Sequence, residues 1–331
     1  MANNFTLLSI GDASLDTFIE PSEVDTTCEI DNKKCLISFT YGDKIPVKSL
    51  DYSVGGNAAN NAVGASRLGV ETAILLTIGQ DNSGNQIYET LEKERVYTGF
   101  IKKDENTTSN SSIVIRYLGE RTIFTYHSPK IYQFPVDVPI PQWIYLTSMG
   151  ENFAEFYESV YELLAQNPNI KLGFNPGSWQ LKAGIESLKN ILSRTVCLFV
   201  NKEEAEKLTG IEKSENNHKS LLDGLSNLGV QIPIITDGGN GCFAKADGKY
   251  WKLGTLNIPV IERTGAGDAF GSGCLSALIK GKSLEEALVW GMCNSSSVIS
   301  FIGSQKGLLH DSEIPSWLEK VRSSNIKVEE L

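Results

Sequence analysis

Short apolar runs alternate along this chain with segments of helical period. Leu7-Leu8-Ser9-Ile10 ends at Gly11, which predicts a buried strand with a tight exit. From Glu20 to Leu50 the text turns polar, with β-branched and aromatic residues in "CLISFTYGDKIPV" and no helical period, so short strands are expected. A small-residue helix is predicted from about Asn57 to Leu68, stopped by Gly69, and a buried strand over 72–78. A second β-rich stretch follows at "SSIVIRYLGERTIFTYHS", where Gly119-Glu120 suits a hairpin turn.

Beyond it, strands and helices alternate: "WIYLTS", a helix near 152–166, "IKLGFNP", a helix near 181–192, "VCLFVN", "KEEAEKLTG" and "IPIITDGG". That order implies an α/β fold with a parallel sheet covered on both faces. The two β-rich stretches, about 17–50 and 110–127, cannot each bury a face alone and are read as one small sheet standing off the main body. One domain over 1–331 with a lid is the expected organisation.

Composition narrows the function. With 331 residues, 41% hydrophobic and 21% charged, the chain has material for a large core. A net charge of −10 argues against nucleic-acid partners, which require clustered Lys and Arg. No signal-peptide order and no apolar run of membrane-spanning length is read, so the expectation is a cytoplasmic protein without a membrane partner. Six cysteines (28, 35, 197, 242, 274, 293) are scattered without zinc-type spacing, and three histidines (127, 218, 310) lie far apart. Buried thiols and structural or exposed imidazoles are the ordinary reading.

The chemistry concentrates in "VIERTGAGDAFGSG". A glycine-rich turn opening a helix leaves backbone N–H groups pointing outward, with the helix dipole behind them, and so forms an anion site. Asp268 follows in the first turn, where a carboxylate could accept a proton from an attacking hydroxyl. The alternative is a plain helix start. No P-loop signature occurs, which argues against a P-loop enzyme, and no dinucleotide fingerprint occurs, which argues against a hydride-transfer enzyme.

"TGAGDAFGSG" resembles the C-terminal signature of the ribokinase-like (PfkB) carbohydrate and nucleoside kinases, and "VGGNAANNAVGASRLG" resembles their N-terminal one. "FVNKEEAEKLTG" and "IITDGGNGCFA" are similar to the family's Asn-x-x-Glu and nucleotide-binding blocks, in the family's order. The resemblance implies a three-layer sandwich with a mainly parallel central sheet and a β-sheet lid.

It also implies ATP-dependent transfer of the γ-phosphate to a hydroxyl, commonly primary, of a sugar or nucleoside. Asp268 would be the general base, with Gly265, Ala266 and Gly267 as anion hole. Asp16, Gly55, Gly56, Asn57 and Asn60 would bind the acceptor, Asn57 doubling as a helix cap. Asn201, Thr236, Gly238 and Gly241 would lie along the nucleotide, and Glu204 would hold Mg²⁺ through water.

The family commonly has Asp-Thr where this chain has Glu262-Arg263. Glu262 is thus a candidate for a K⁺ site, joined by Gly303 because "ISFIGSQKG" resembles the family's second cation-binding loop, and Arg263 is expected either to pair with Glu262 or to face a phosphate. Lid aromatics (Phe39, Tyr41, Tyr117, Phe124, Tyr126) could stack a nucleobase, pack in the core of the lid or serve a homodimer formed through the lid. Arg116 and Arg121 could meet a sugar phosphate. A non-catalytic sugar- or nucleoside-binding protein and a sugar-phosphate kinase remain the alternative readings.

Overall fold

The computed structural model describes residues 5–331 except 23, 30–33, 119, 136 and 213–216. The chain opens with β1 (Leu7–Ile10), β2 (Ser14–Pro21), the hairpin β3 (Asp25–Glu29) and β4 (Lys34–Ser38), and β5 (Val47–Gly55). Then follow α1 (Asn57–Arg67), β6 (Thr72–Gly79), α2 (Asn82–Lys93), β7 (Tyr97–Asp104), β8 (Asn110–Tyr117) and β9 (Glu120–Tyr126). The next units are β10 (Trp143–Thr147), α3 (Ala154–Gln166), β11 (Lys171–Asn175), α4 (Ser178–Ala183) and α5 (Lys189–Arg194). After these come β12 (Thr195–Asn201), α6 (Lys202–Thr209), α7 (His218–Asn227), β13 (Ile232–Thr236), β14 (Cys242–Ala246) and β15 (Lys249–Leu253). The chain closes with α8 (Ala266–Ile279), α9 (Leu284–Val298), α10 (Ile314–Ser323) and β16 (Glu329–Glu330).

The main sheet runs β16-β15-β14-β13-β12-β11-β10-β1-β6-β7. It is parallel from β7 to β13, and β14, β15 and β16 extend it antiparallel. The side-chain period of two sends successive residues to opposite faces. Leu8 and Ile10 therefore pack with α3, α5, α6 and α7 through Val160, Ile191, Ala205 and Leu221. Leu7 packs instead with α8 and α9 through Phe270, Cys274 and Leu288. α1 and α2 cover Ile74, Leu76 and Ile78 on β6. The result is a three-layer α/β sandwich, in which each fully buried Leu, Ile or Phe contributes about 1.5–3 kcal/mol.

A second sheet, β5-β2-β8-β9, draws its strands from both β-rich stretches of the sequence. Its first two strands run from Ser14 to Gly55, which pair with one another, and so reach beyond the 17–50 expectation toward the ends of β1 and α1. The expected hairpin residue Gly119 lies outside the described residues, while Tyr117 pairs with Glu120 across β8 and β9. In β3 and β4 the backbone register sets Cys28 opposite Cys35. Cys197, Cys242, Cys274 and Cys293 are buried free thiols.

The helix expected near 181–192 is instead two short helices, α4 and α5, with a turn of 3₁₀-helix at Ile185–Ser187 between them. Gly184 at φ +86° breaks the helical path, a conformation only glycine adopts without strain. Two elements that the apolar pattern left unread, α2 and β7, complete one edge of the parallel sheet. Among the described residues, no helix is long and apolar enough to cross a membrane.

Candidate active site

The parallel strands end on one side of the sandwich, where α1, α6 and α8 begin. Ligands of open α/β sheets bind at such carboxyl ends. A cavity of about 380 Å³ lies there, lined by Asn57, Arg121, Asn201, Glu204, Gly265 and Asp268 among others. Next to it, a second cavity of about 270 Å³ is walled by Leu256, Ile258, Val260, Met292 and Ile299, with Thr236, Gly238 and Gly241 along one side. Arg263, Ala266, Gly267 and Phe270 line both. The structure thus brings the proposed nucleotide residues and the glycine turn to adjoining spaces.

The turn itself has the geometry of an anion site. Gly265, at φ +77°, is the N-cap of α8, and a Cβ there would stand 2.4 Å from the Ser304 side chain. The conformation and the crowding both call for glycine. Ala269 donates to the Gly265 carbonyl at 2.8 Å, and Ala266 makes a turn bond to Arg263 at 3.3 Å. Among the described residues, the amides of Gly267 and Asp268 have no protein acceptor and lie at the positive end of the helix.

Asp268 is half-buried on the first turn of α8. Burial pushes its carboxyl up to about 6; a hydrogen bond from Asn60 restrains that rise, and the charge of Asp16 adds to it. Asn60 Nδ2 donates to Asp268 Oδ2 at 2.8 Å. The Asn60 carbonyl oxygen in turn accepts from Ser304 Oγ at 2.9 Å and Gln305 Nε2 at 3.1 Å. Two donors on one side fix which way this amide faces. Ser304 and Gln305 fall in "ISFIGSQKG", whose resemblance is to a cation-binding loop, and nothing local marks them as partners of Asn60.

Asp16 sits on β2, and burial raises its carboxyl while Ser14 and Ser112 hydrogen-bond it. Gly55 lies directly beside it: a Cβ on Gly55 would come within 2.1 Å of Asp16 Oδ2. Asn57 is the first helical residue rather than the cap, which is Gly56. The capping role expected of Asn57 is therefore corrected; its amide donates to Asn175 Oδ1 at 3.1 Å, in the cavity. Asn175 also accepts from Thr147 Oγ1 at 3.2 Å and donates to the Phe199 carbonyl at 2.7 Å. Asn175 and Thr147 end two central strands and escaped sequence reading because nothing local marks them.

Asn201 and Glu204 form a reciprocal capping box on α6, each bond 2.9 Å. Burial raises the Glu204 carboxyl, and Asp268 raises it further. Beneath them, burial and the fields of Asp268 and Glu204 push the Tyr145 phenol well up. Two carboxylates lining one cavity, with Asp268 raising Glu204 across it, suit a divalent cation bound with phosphate. Among the described residues, no group of three or more His, Cys, Asp and Glu could hold a metal unaided.

Glu262 and Gly303 do meet, Gly303 N–H lying 3.4 Å from Glu262 Oε2. The ion pair of Glu262, however, is with Arg121 of β9 at 3.2 Å, not with Arg263. Among the described residues Arg263 makes no ion pair; it is exposed at the junction of the two cavities, which corrects the expected Glu262–Arg263 bridge. Near the nucleotide loop, His218 lies 2.9 Å from Asp237 and stacks on Phe243 at 3.7 Å between ring centroids. A buried Lys130, 3.4 Å from Asp12, with Tyr132 donating to the same carboxylate at 3.0 Å, backs the β1 end of the site.

The chain has relatives among known proteins. Residues 25–310 match the family model described as pfkB family carbohydrate kinase. The chain belongs to the pfkB carbohydrate kinase family. It is a kinase in that general sense. An Archaeoglobus fulgidus protein named as an uncharacterized sugar kinase is 27% identical, over 74% of this chain and 98% of that one. A Methanocaldococcus jannaschii nucleoside kinase is also 27% identical, over 84% and 89%. The structure of Arabidopsis thaliana ribokinase complexed with ribose and ATP superposes with a TM-score of 0.78 at 19% identity, covering 96% of this chain and 99% of that one. At that identity the likeness concerns the fold, including the smaller accessory sheet.

Proposed function

We propose that this family member transfers the γ-phosphoryl group of ATP to a hydroxyl, commonly primary, of a neutral sugar or nucleoside, with Asp268 as general base. The observation that carries this reading is the position of Asp268. Its carboxyl, raised to about 6, adjoins the Gly267 amide where two cavities meet, the arrangement a base needs beside a transferring phosphate. The Gly265-Ala266-Gly267 turn acts as the anion hole through the amides of Gly267 and Asp268, free among the described residues, the Ala266 amide being bonded to Arg263. These fixed dipoles meet the charge spread over the equatorial oxygens. The nucleotide lies along Thr236, Gly238, Gly241 and Asn201, its base against the apolar wall of Ile258 and Met292.

Mg²⁺, when bound, neutralises the phosphates; Glu204 holds it through water, consistent with the sparse carboxylate ligation that this ion accepts. The acceptor binds between Asp16, Gly55, Gly56, Asn57 and Asn60, and the second sheet acts as its lid. Large side chains on that sheet, Leu50, Tyr52, Phe124 and Tyr126, are exposed, as is Tyr41 in the turn before β5, which suits a homodimer through the lid.

A neutral acceptor is favoured over a sugar phosphate because both arginines that could meet an acceptor phosphate are engaged by carboxylates. Arg116 faces Glu20 and Asp51, each at 4.0 Å, and Arg121 is paired with Glu262. The test is ATP-dependent phosphorylation of a panel holding pentoses, hexoses, nucleosides and sugar phosphates. Turnover of a neutral member with Mg²⁺ is expected. Turnover confined to sugar phosphates overturns the acceptor class, and binding without transfer from any donor overturns the kinase reading.

A further inference from the structure

Glu262 stands six residues before Asp268, on the loop that leads into the glycine turn. Its carboxylate is almost fully enclosed, with only 4% of the side chain exposed, and a buried carboxylate demands a counter-charge. Oε1 accepts from the Thr264 amide at 2.7 Å, from the Thr264 hydroxyl and from Arg121 Nη1 at 3.2 Å. Oε2 accepts from the Gly303 amide at 3.4 Å. Each of these neighbours presents an N–H or O–H, and Gly303 turns its amide toward the carboxylate. A K⁺ ion needs oxygen ligands, so this donor set, headed by a guanidinium, does not fit one.

Arg121 does not belong to the main domain's own loop. It comes from β9, the outer strand of the accessory sheet, 141 residues away in sequence. The ion pair therefore ties the accessory sheet directly to the path of the chain through Thr264 into Gly265.

We propose that Arg121 is the built-in counter-cation of the Glu262 pocket, so that docking of the accessory sheet, rather than a bound K⁺ ion, positions the anion-binding turn. Arg121 is a positioning residue, since it acts through Glu262 and Thr264. With its charge spent on Glu262, it also contributes to the preference for a neutral acceptor. The proposal rests on the kinase reading for the meaning of the turn, but its measurements do not require phosphoryl transfer.

The experiment compares wild type, Arg121→Gln and Arg121→Lys in KCl and in tetramethylammonium chloride at equal ionic strength. Melting midpoints are recorded, and binding of a non-hydrolysable ATP analogue with Mg²⁺ is followed by calorimetry. Wild type is expected to melt at the same temperature and bind the analogue equally in both salts. Arg121→Gln is expected to bind it about ten-fold more weakly, within the usual range of coupling between sites, and Arg121→Lys to restore most of that loss. Selective strengthening of wild-type binding by K⁺ overturns the proposal, as does wild-type affinity in Arg121→Gln. If binding behaves as expected while no acceptor is ever phosphorylated, the latch stands and the kinase reading falls.

Discussion

Asn60 and Asp268 lie 208 residues apart in sequence, and the amide of the first donates to the carboxylate of the second at 2.8 Å. Because Ser304 and Gln305 both donate to the other end of the Asn60 side chain, the amide cannot flip and its N–H is committed to Asp268. One carboxylate oxygen is thereby held, and the orientation of the base follows from three side chains on two other segments.

Asn60→Ala removes a hydrogen bond that holds the Asp268 carboxyl down, so that group titrates at still higher pH. The acid limb of the pH–rate profile is expected to move upward. kcat should fall by about ten-fold as the base loses its orientation, a misplacement effect. A full pH profile of the variant beside wild type checks both.

Stability responds to Asp268 in the opposite sense from activity. Its folded-state carboxyl at about 6 lies above the ordinary 3.8, so the folded protein binds that proton more tightly than the unfolded chain. The charged group therefore costs stability above pH 6, and the cost fades as pH falls from 6 toward 4. Asp268→Asn is expected to gain about 1–2 kcal/mol at pH 7.5, reduced from the full shift by partial exposure, and nothing at pH 4. Denaturant melts at the two pH values measure this.

Gly55→Ala places a methyl group against Asp16 Oδ2, which the present spacing leaves no room for. Asp16 must shift, so the acceptor KM is expected to rise by at least about ten-fold, the size of one lost charged hydrogen bond. Affinity for the ATP analogue should hold, because the nucleotide residues lie elsewhere. Separate titrations of the two ligands make the comparison.

Arg263, exposed where the two cavities join and without an ion-pair partner among the described residues, is placed to meet the phosphates of the nucleotide. Loss of a charge-assisted contact of about 1.5–3 kcal/mol predicts a rise of roughly ten- to a hundred-fold in the ATP Kd of Arg263→Ala. Calorimetric titration of the variant with the analogue checks it.

What could be read from the sequence was what is written locally. The turn of Gly265, Ala266 and Gly267 before Asp268, the paired glycines before Asn57, and the alternation of strands with helices all depend on neighbours in the chain. The α4–α5 break was hidden because Gly184 sits inside a stretch whose apolar residues suit a helix, and only its positive φ ends the run. Asn175, Ser304, Gln305 and Arg121 were not legible as partners. Each acts through a side chain reaching across sheets or helices, and the pairing of Glu262 with Arg121 instead of adjacent Arg263 is decided by where β9 docks. His218 was read as structural or exposed. Its bond to Asp237, beside the nucleotide loop, needed the packing of α7 to become visible.

The account turns on Asp268 as the base, and the pH dependence of kcat/KM for the best panel acceptor tests that most directly. Wild type is expected to lose activity below a pH near 6 with the slope of a single proton, matching the raised carboxyl. Asp268→Asn should fall by about 10²- to 10⁴-fold and lose that limb, while still binding the ATP analogue. A folded Asp268→Asn enzyme that keeps the wild-type rate and the same acid limb would contradict the account.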